Sequence, residues 1–262
     1  MSRPISDIEL ALLAADIADR ESMRTFRTDD LEVTVKGDGS PVTSTDRLIE
    51  RLVRELIAEH RPGDRVLGEE EGDSGTGDRC WVLDPIDGTG NYVAGSRAWG
   101  SLIALEEGDE PLVGVVSMPA THRRWWGTTA EGASSVEMRS GAHHRLTPST
   151  TDDPSRMRWA TGPALVELAG RERAQLRDIE PFGVYVPPQE WTTYPALMVA
   201  EGTLDLAVHF GHRWDHAALA AVVVAAGGEV TEAAPPADGE RYAATYTNGR
   251  LAVRVDARGD AS

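Results

Sequence analysis

Carboxylates gather in three short stretches of the sequence, "GEEEG" at 68–72, "DPIDGT" at 84–89 and "WDHAA" at 214–218. In the second, the apolar run "CWVL" ends in Asp84 and Asp87, with Pro85 after the first acid and Gly88 after the second. That much negative charge at the end of a buried-looking strand calls for a counter-charge. Hard divalent cations such as magnesium take carboxylate oxygens, keep several waters and bind substrate phosphates. A pair of them can clamp the attacking and leaving oxygens of an in-line displacement. Acids that would repel a phosphate then hold the cations that attract it.

Each stretch alone has a plainer reading. "DPIDG" is good turn sequence, "GEEEG" suits a solvated acidic loop, and Asp215 suits the N-cap of the helix that follows it. A calcium loop is excluded because its twelve-residue pattern with a closing Glu is absent. His209, His212 and His216 are open to three readings: a zinc site, substrate contact or surface packing. No Cys or HExxH pattern supports zinc, and the expected helix start separates His212 from His216. The single cysteine, Cys80, excludes an internal disulfide and reads as a small core residue. Trp125 and Trp126 read as strand packing.

The framework is an alternation of helices and strands, hence α/β layers. "SDIE" from Ser6 is a capping box that starts a first helix, with Ile8, Leu12 and Ala15 on one face. In "TDRLIERLVRELIAEH" the pairs Leu48/Ile49, Leu52/Val53 and Leu56/Ile57 form one apolar stripe, with Arg and Glu on the other faces. "RPGD" stops that helix. The polar hairpin or loop "VKGDGSPVTSTD" between the helices puts Asp46 in the first turn of the second, where a carboxylate also suits the helix dipole. Strands are expected at 65–68, 80–84, 99–105 and 112–118, the last two joined as a hairpin. Residues 139–162 lack periodicity and read as a boundary or long surface connection, dividing one integrated unit into halves 1–138 and 139–262. Beyond it, "YPALMVAEG" reads as a helix, "TLDLAVHF" as a strand, "DHAALAAVVVAAGG" as a buried helix ending in glycines, and "GEVTE" as a strand.

With 262 residues, 43 Asp and Glu against 26 Lys and Arg, and a net charge of −17, the chain is an unsuitable nucleic-acid binder. A small phosphorylated substrate stays admissible where local cations overcome that field. No apolar run approaches the length of about 20 residues that a membrane helix needs. The N-terminus carries acids through its apolar stretch, unlike a secretory signal, so a cytoplasmic protein is expected.

Taken together and in this order, "GSPVTSTD" (39–46), "GEE" (68–70), "WVLDPIDGTGNY" (81–92) and "WDHAALAAVVVAAGG" (214–228) resemble the inositol monophosphatase superfamily of metal-dependent phosphomonoesterases. "RPGDRVLGEEEG" and "WGSLIALEEGDEPLVGVVSMPATHRRWW" look most like its bacterial histidinol-phosphate phosphatases. The resemblance implies a layered αβαβα sandwich, a homodimer, a small phosphorylated metabolite as substrate, and two or three magnesium ions per site. It implies that Glu69, Asp84 and the Ile86 carbonyl hold one ion and that Asp84, Asp87 and Asp215 hold another. Glu70 is then a supporting acid and Lys36 a nearby basic group. Gly88 and Thr89 offer backbone N–H groups to the phosphate, and Thr89 with Asp46 orients the attacking water.

Three departures bear on substrate choice. Gly90 stands where relatives carry Thr or Lys, and Ala225 where an acid is common. The segment "VYVPPQEWTTYPALMVAEG" lacks the usual glycine-centred sequence. Glu190 and Trp191 of that segment, with His209 and His212, are the candidate substrate contacts. The expected substrate is histidinol phosphate, with an inositol, sugar, amino alcohol or nucleoside phosphate as the alternative. A non-catalytic binding or regulatory protein on the same fold is the alternative of another class.

Overall fold

A computed structural model gives the fold and describes residues 4–37, 39–108, 110–162, 167–168, 170–176, 179, 182–187, 193–233, 241–251 and 253. Glu190 and Trp191 lie outside the described residues.

Helix α1 (Asp7–Thr25) opens on the capping box expected of "SDIE": Ser6 Oγ accepts from the Glu9 N–H at 3.4 Å, and the Glu9 carboxylate accepts from the Ser6 N–H at 2.8 Å. The polar segment after it is an antiparallel hairpin of β1 (Val33–Val35) and β2 (Pro41–Thr43), which runs straight into α2 (Ser44–His60). Of the predicted apolar stripe, Ile49, Val53 and Ile57 are fully buried. Each such side chain contributes about 1.5–3 kcal/mol of burial. At the far end Arg61 donates to Asp7 at 2.8 Å, tying the end of α2 to the start of α1.

Eight strands follow into one sheet: β3 (Arg65–Gly68), β4 (Gly72–Ser74), β5 (Arg79–Asp87), β6 (Gly100–Glu107), β7 (Glu110–Met118), β8 (Arg123–Thr128), β9 (Gly132–Glu137) and β10 (Ala142–Arg145). Their spatial order is β10-β9-β8-β7-β6-β5-β3-β4, and the short helix α3 (Thr89–Val93) interrupts the chain after β5. The second sheet has five strands in the order β12-β11-β13-β15-β14. Its elements are β11 (Arg158–Gly162), α4 (Gly170–Ala174), β12 (Val184–Tyr185), α5 (Pro195–Ala200), β13 (Leu206–Gly211), α6 (Arg213–Ala226), β14 (Glu229–Glu232) and β15 (Tyr242–Thr247).

Period-two alternation assigns the layers. On β5 and β6, Trp81, Leu83, Ile103 and Leu105 face α1 and α2, while Cys80, Val82, Leu102 and Ala104 face α5 and α6. Ala207, Ala244 and Tyr246 of the second sheet close that middle layer from the other side. Trp159, Leu206, Val208 and Phe210 turn to the outer face, where Leu168, Leu176 and Ile179 cover them. The result is the αβαβα sandwich. Helix α6 lies between the two sheets and ends on Gly227, whose φ of 100° is the left-handed cap the glycines predict.

Two expectations change. The strand expected at 80–84 runs on to Asp87, because the β5–β6 register shifts between Asp84 and Asp87 where Pro85 has no N–H for the ladder. The featureless segment 139–162 contains β10 and β11. Strand β10 is exposed at all four residues and so carries no alternation to read.

Candidate metal centre and phosphate site

The bulge in β5 turns two successive acids toward one place. Asp84 pairs with Leu102 and Asp87 with Gly100, and Ser101 between them donates its hydroxyl to the Pro85 carbonyl at 2.7 Å, fixing the irregularity. Asp215 arrives from the first turn of α6. Ligand oxygens of Asp84, Asp87 and Asp215 lie within 4.8 Å of one another, the one such convergence of His, Cys, Asp or Glu among the described residues. Burial, then the charges of Glu69, Asp87 and Asp215, push the Asp84 carboxyl well above the aspartate range. Burial and Asp215 raise Asp87 too, against an opposing pull from the Tyr194 hydroxyl. Asp84 Oδ1 is buried without a hydrogen-bond partner. Converging, mutually repelling carboxylates and an orphaned buried oxygen are the donor set a hard divalent cation satisfies.

Asp215 is held differently from the position expected of it. His212 takes the N-cap of α6, because β13 stays extended through Gly211, and Asp215 sits three residues in. Its carboxylate accepts from the His212 N–H at 2.6 Å. Burial works against the Asp215 charge, but the His212 side chain and then the His212 N–H outweigh it and hold its pKa below the usual value. A Cβ at Gly211 would sit 2.5 Å from the Asp215 carboxylate, so only glycine leaves room there.

Glu69 follows β3 directly, its N–H donating to Leu83 O at 3.2 Å beside Asp84. Lys36, from the β1–β2 hairpin, bridges Glu69 and Glu70 with contacts of 2.7 Å to each. Burial disfavours the Lys36 charge, yet the two glutamates outweigh it and hold the ammonium above the ordinary lysine range.

Asp46 and Thr89 come together from α2 and α3. Thr43 caps α2 through its hydroxyl, while its own N–H and hydroxyl donate to Asp46 Oδ2. Asp46 is thus a capping acid, as its place in the first turn predicts. Its other oxygen, Oδ1, lies 3.3 Å from Thr89 Oγ1, which also contacts the Ile86 carbonyl at 2.9 Å. Gly88 precedes Thr89 in the left-handed region, φ 80°. Behind α3, the Tyr92 hydroxyl donates to Ser22 O at 2.7 Å, Phe26 stacks on Tyr92 at 5.5 Å between centroids, and Trp99 packs tilted against Phe26 at 5.2 Å and edge-on to Tyr92 at 4.8 Å. These contacts clamp the turn carrying Thr89.

The three histidines do not converge on a zinc site. His216 is fully buried, with Tyr246 Oη at 3.2 Å and the Tyr242 carbonyl at 3.1 Å from its ring nitrogens. His212 stacks on Trp214, and its Nδ1 lies 3.5 Å from Asp215. His209 stands edge-on to His216 at 5.5 Å, and its Nδ1 is buried without a partner. Burial, reinforced by His216, drives His209 down to about 3, so it is neutral.

Ala225 lies roughly 15 Å along α6 from Asp215 at 1.5 Å per residue, where it packs on Gly127 of β8. An acid missing at Ala225 is therefore not missing from the carboxylate cluster. Gly90 opens onto free space, with no atom within 4 Å of a Cβ built there. Its φ lies outside the left-handed region, so Gly90→Ala is expected to raise unfolding stability by about 0.5–1 kcal/mol. A thermal melt checks this, and a lowered Tm would show that the turn needs glycine.

Sequence reasoning passed over Tyr194, which lies in the divergent segment, is buried, and stands near enough to Asp87 to draw its carboxyl down, while its hydroxyl closes no hydrogen bond among the described residues. A Cβ at Gly100 would come within 3.1 Å of that hydroxyl. Among the described residues no helix is long and apolar enough to cross a membrane.

Residues 5–257 match the sequence profile of the inositol monophosphatase family. The chain is 40% identical over 260 residues to a histidinol-phosphatase of Streptomyces coelicolor, covering 94% of both proteins. A histidinol-phosphatase of Mycobacterium tuberculosis gives the same identity and coverage. Among solved structures, an inositol monophosphatase from Zymomonas mobilis superposes with a TM-score of 0.72 at 28% identity, covering 95% of this chain and 94% of that one. The acid order along the chain, the sandwich and these likenesses agree: the chain belongs to the inositol monophosphatase family and is a phosphoric monoester hydrolase.

Proposed function

We propose that the protein hydrolyses the phosphate monoester of a small metabolite, histidinol phosphate first among candidates, with magnesium held by Glu69, Asp84, the Ile86 carbonyl, Asp87 and Asp215. The observation that carries this reading is the convergence of Asp84, Asp87 and Asp215 around a buried, unpartnered carboxylate oxygen. Bound magnesium supplies a water of lowered pKa and charge stabilisation for the departing oxygen. The chain's own residues do the rest. Thr89 Oγ1, bonded to Asp46, receives and orients the attacking water, and Asp46 takes up the proton that the threonine relays. The N–H groups of Gly88 and Thr89 offer donors to the phosphate oxygens. Lys36 tempers the charge of Glu69 and Glu70, which serves as a supporting acid.

A neutral polyol phosphate is the second reading. It is favoured by His209, an uncharged ring with a free nitrogen near Asp215, which offers a hydroxyl partner and no counter-charge for an ammonium. His212, half-buried against Trp214, and the segment with Glu190 and Trp191 are the other proposed substrate contacts.

The test is a phosphate-release screen with magnesium over histidinol phosphate, inositol phosphates, sugar phosphates and nucleotides. A preference of orders of magnitude for histidinol phosphate supports the first reading, and activity confined to polyol phosphates supports the second. No release from any of them, with no cation binding by calorimetry, would leave a non-catalytic protein on this fold.

A further inference from the structure

Glu50 is a fully buried carboxylate on α2 that none of the roles above uses. It stands one turn after Asp46 on the same helix face. Its Oε2 accepts from the backbone N–H of Glu70 at 2.8 Å, and its Oε1 from that of Glu71 at 3.0 Å. Arg54, one turn further on, donates to Oε1 through Nε at 2.9 Å and Nη2 at 2.8 Å. The same guanidinium donates to Ser74 Oγ at 2.7 Å and to the Gly72 carbonyl. A Cβ on Gly68 would lie 2.1 Å from Glu50 Oε1, so the carboxylate fills the space that the glycine before Glu69 leaves. Glu50 and Asp84 also line one cavity of about 10 Å³, with Ser101.

We propose that Glu50, with Arg54, is the positioning residue of the metal centre: it grips the turn between β3 and β4 by its backbone and so fixes where Glu69 is presented. The inference rests on the reading of Glu69 as a metal ligand. A carboxylate suits the task because it only accepts, and here every partner is a donor. Glutamine at this position has one oxygen and must turn its NH₂ toward an N–H or the guanidinium, so the turn moves away. Burying the charge is tolerable because Arg54 and two backbone donors compensate it.

Glu50→Gln is expected to stay folded, to bind Mn²⁺ or Mg²⁺ about 10–100-fold more weakly by calorimetry on metal-free protein, and to lose exchange protection at the amides of Glu70 and Glu71. Its activity loss should recover at high metal concentration, with substrate KM at saturating metal unchanged. The double variant Glu50→Met/Arg54→Met removes both charges at similar volume. It should be folded and still weak for the cation, which separates positioning from stability. Unchanged cation affinity and unchanged exchange in folded Glu50→Gln would overturn the inference. Cation binding by the wild type without phosphate release would remove the proposed function and leave this inference standing. No cation binding by the wild type would overturn both.

Discussion

Asp87→Asn is expected to reduce phosphate release by more than about a hundredfold, because even the groups behind a metal ligand cost 10–100-fold when changed. The fold should survive, and the metal-free variant should be the more stable form near neutral pH. The reason lies in the sign of the shift. Burial and Asp215 lift Asp87 to about 7 in the folded protein, against about 3.9 in an unfolded chain. Between these values the folded state binds more protons, so stability is fully present below the unfolded pKa and falls as pH rises through the folded one. Asn removes this titration. Melting curves in chelator from pH 4 to 8 should show a shallower decline for the variant. Activity near the wild-type level would refute the metal role of Asp87, and an unchanged slope of Tm with pH would refute the crowding of charge.

Thr89→Ala should lower kcat by about 10²-fold or more, the range of a positioned proton relay, with KM nearly unmoved. The bond to Asp46 Oδ1 and the contact to the Ile86 carbonyl both disappear with the hydroxyl. Asp46→Asn should match that kinetic loss and add about 1 kcal/mol of destabilisation from the weakened cap. Its single oxygen cannot serve both Thr43 and Thr89. If the two side chains act as one unit, the double variant is no slower than either single one. Multiplicative losses would separate their roles.

Much of this site is legible in the sequence because its parts obey local rules. Both early helices start at capping patterns, and the acids stand next to glycines and turns. The hidden parts depend on long-range packing. Glu50 reads as the polar face of an amphipathic helix, yet it is buried because β3 and its following turn lie over it. The clue was its i, i+4 relation to both Asp46 and Arg54, with Gly68 clearing space for it. Asp87 reads as a turn residue because Pro85 ought to end a central strand, whereas a bulge carries the strand past it. Ala225 stood out only by comparison with relatives, and the helix puts it far from the chemistry.

The cluster of Asp84, Asp87 and Asp215 exists only once the eight-stranded sheet and α6 have met. The unfolded chain has no equivalent site, so a bound cation stabilises the native state alone, by about 2.7 kcal/mol at a hundred times its Kd. With the proposed cation at this site, metal supply is expected to govern the protein's lifetime as well as its turnover. In a cell short of divalent ions, proteases should clear it faster, and its steady-state abundance should fall before any change in its synthesis.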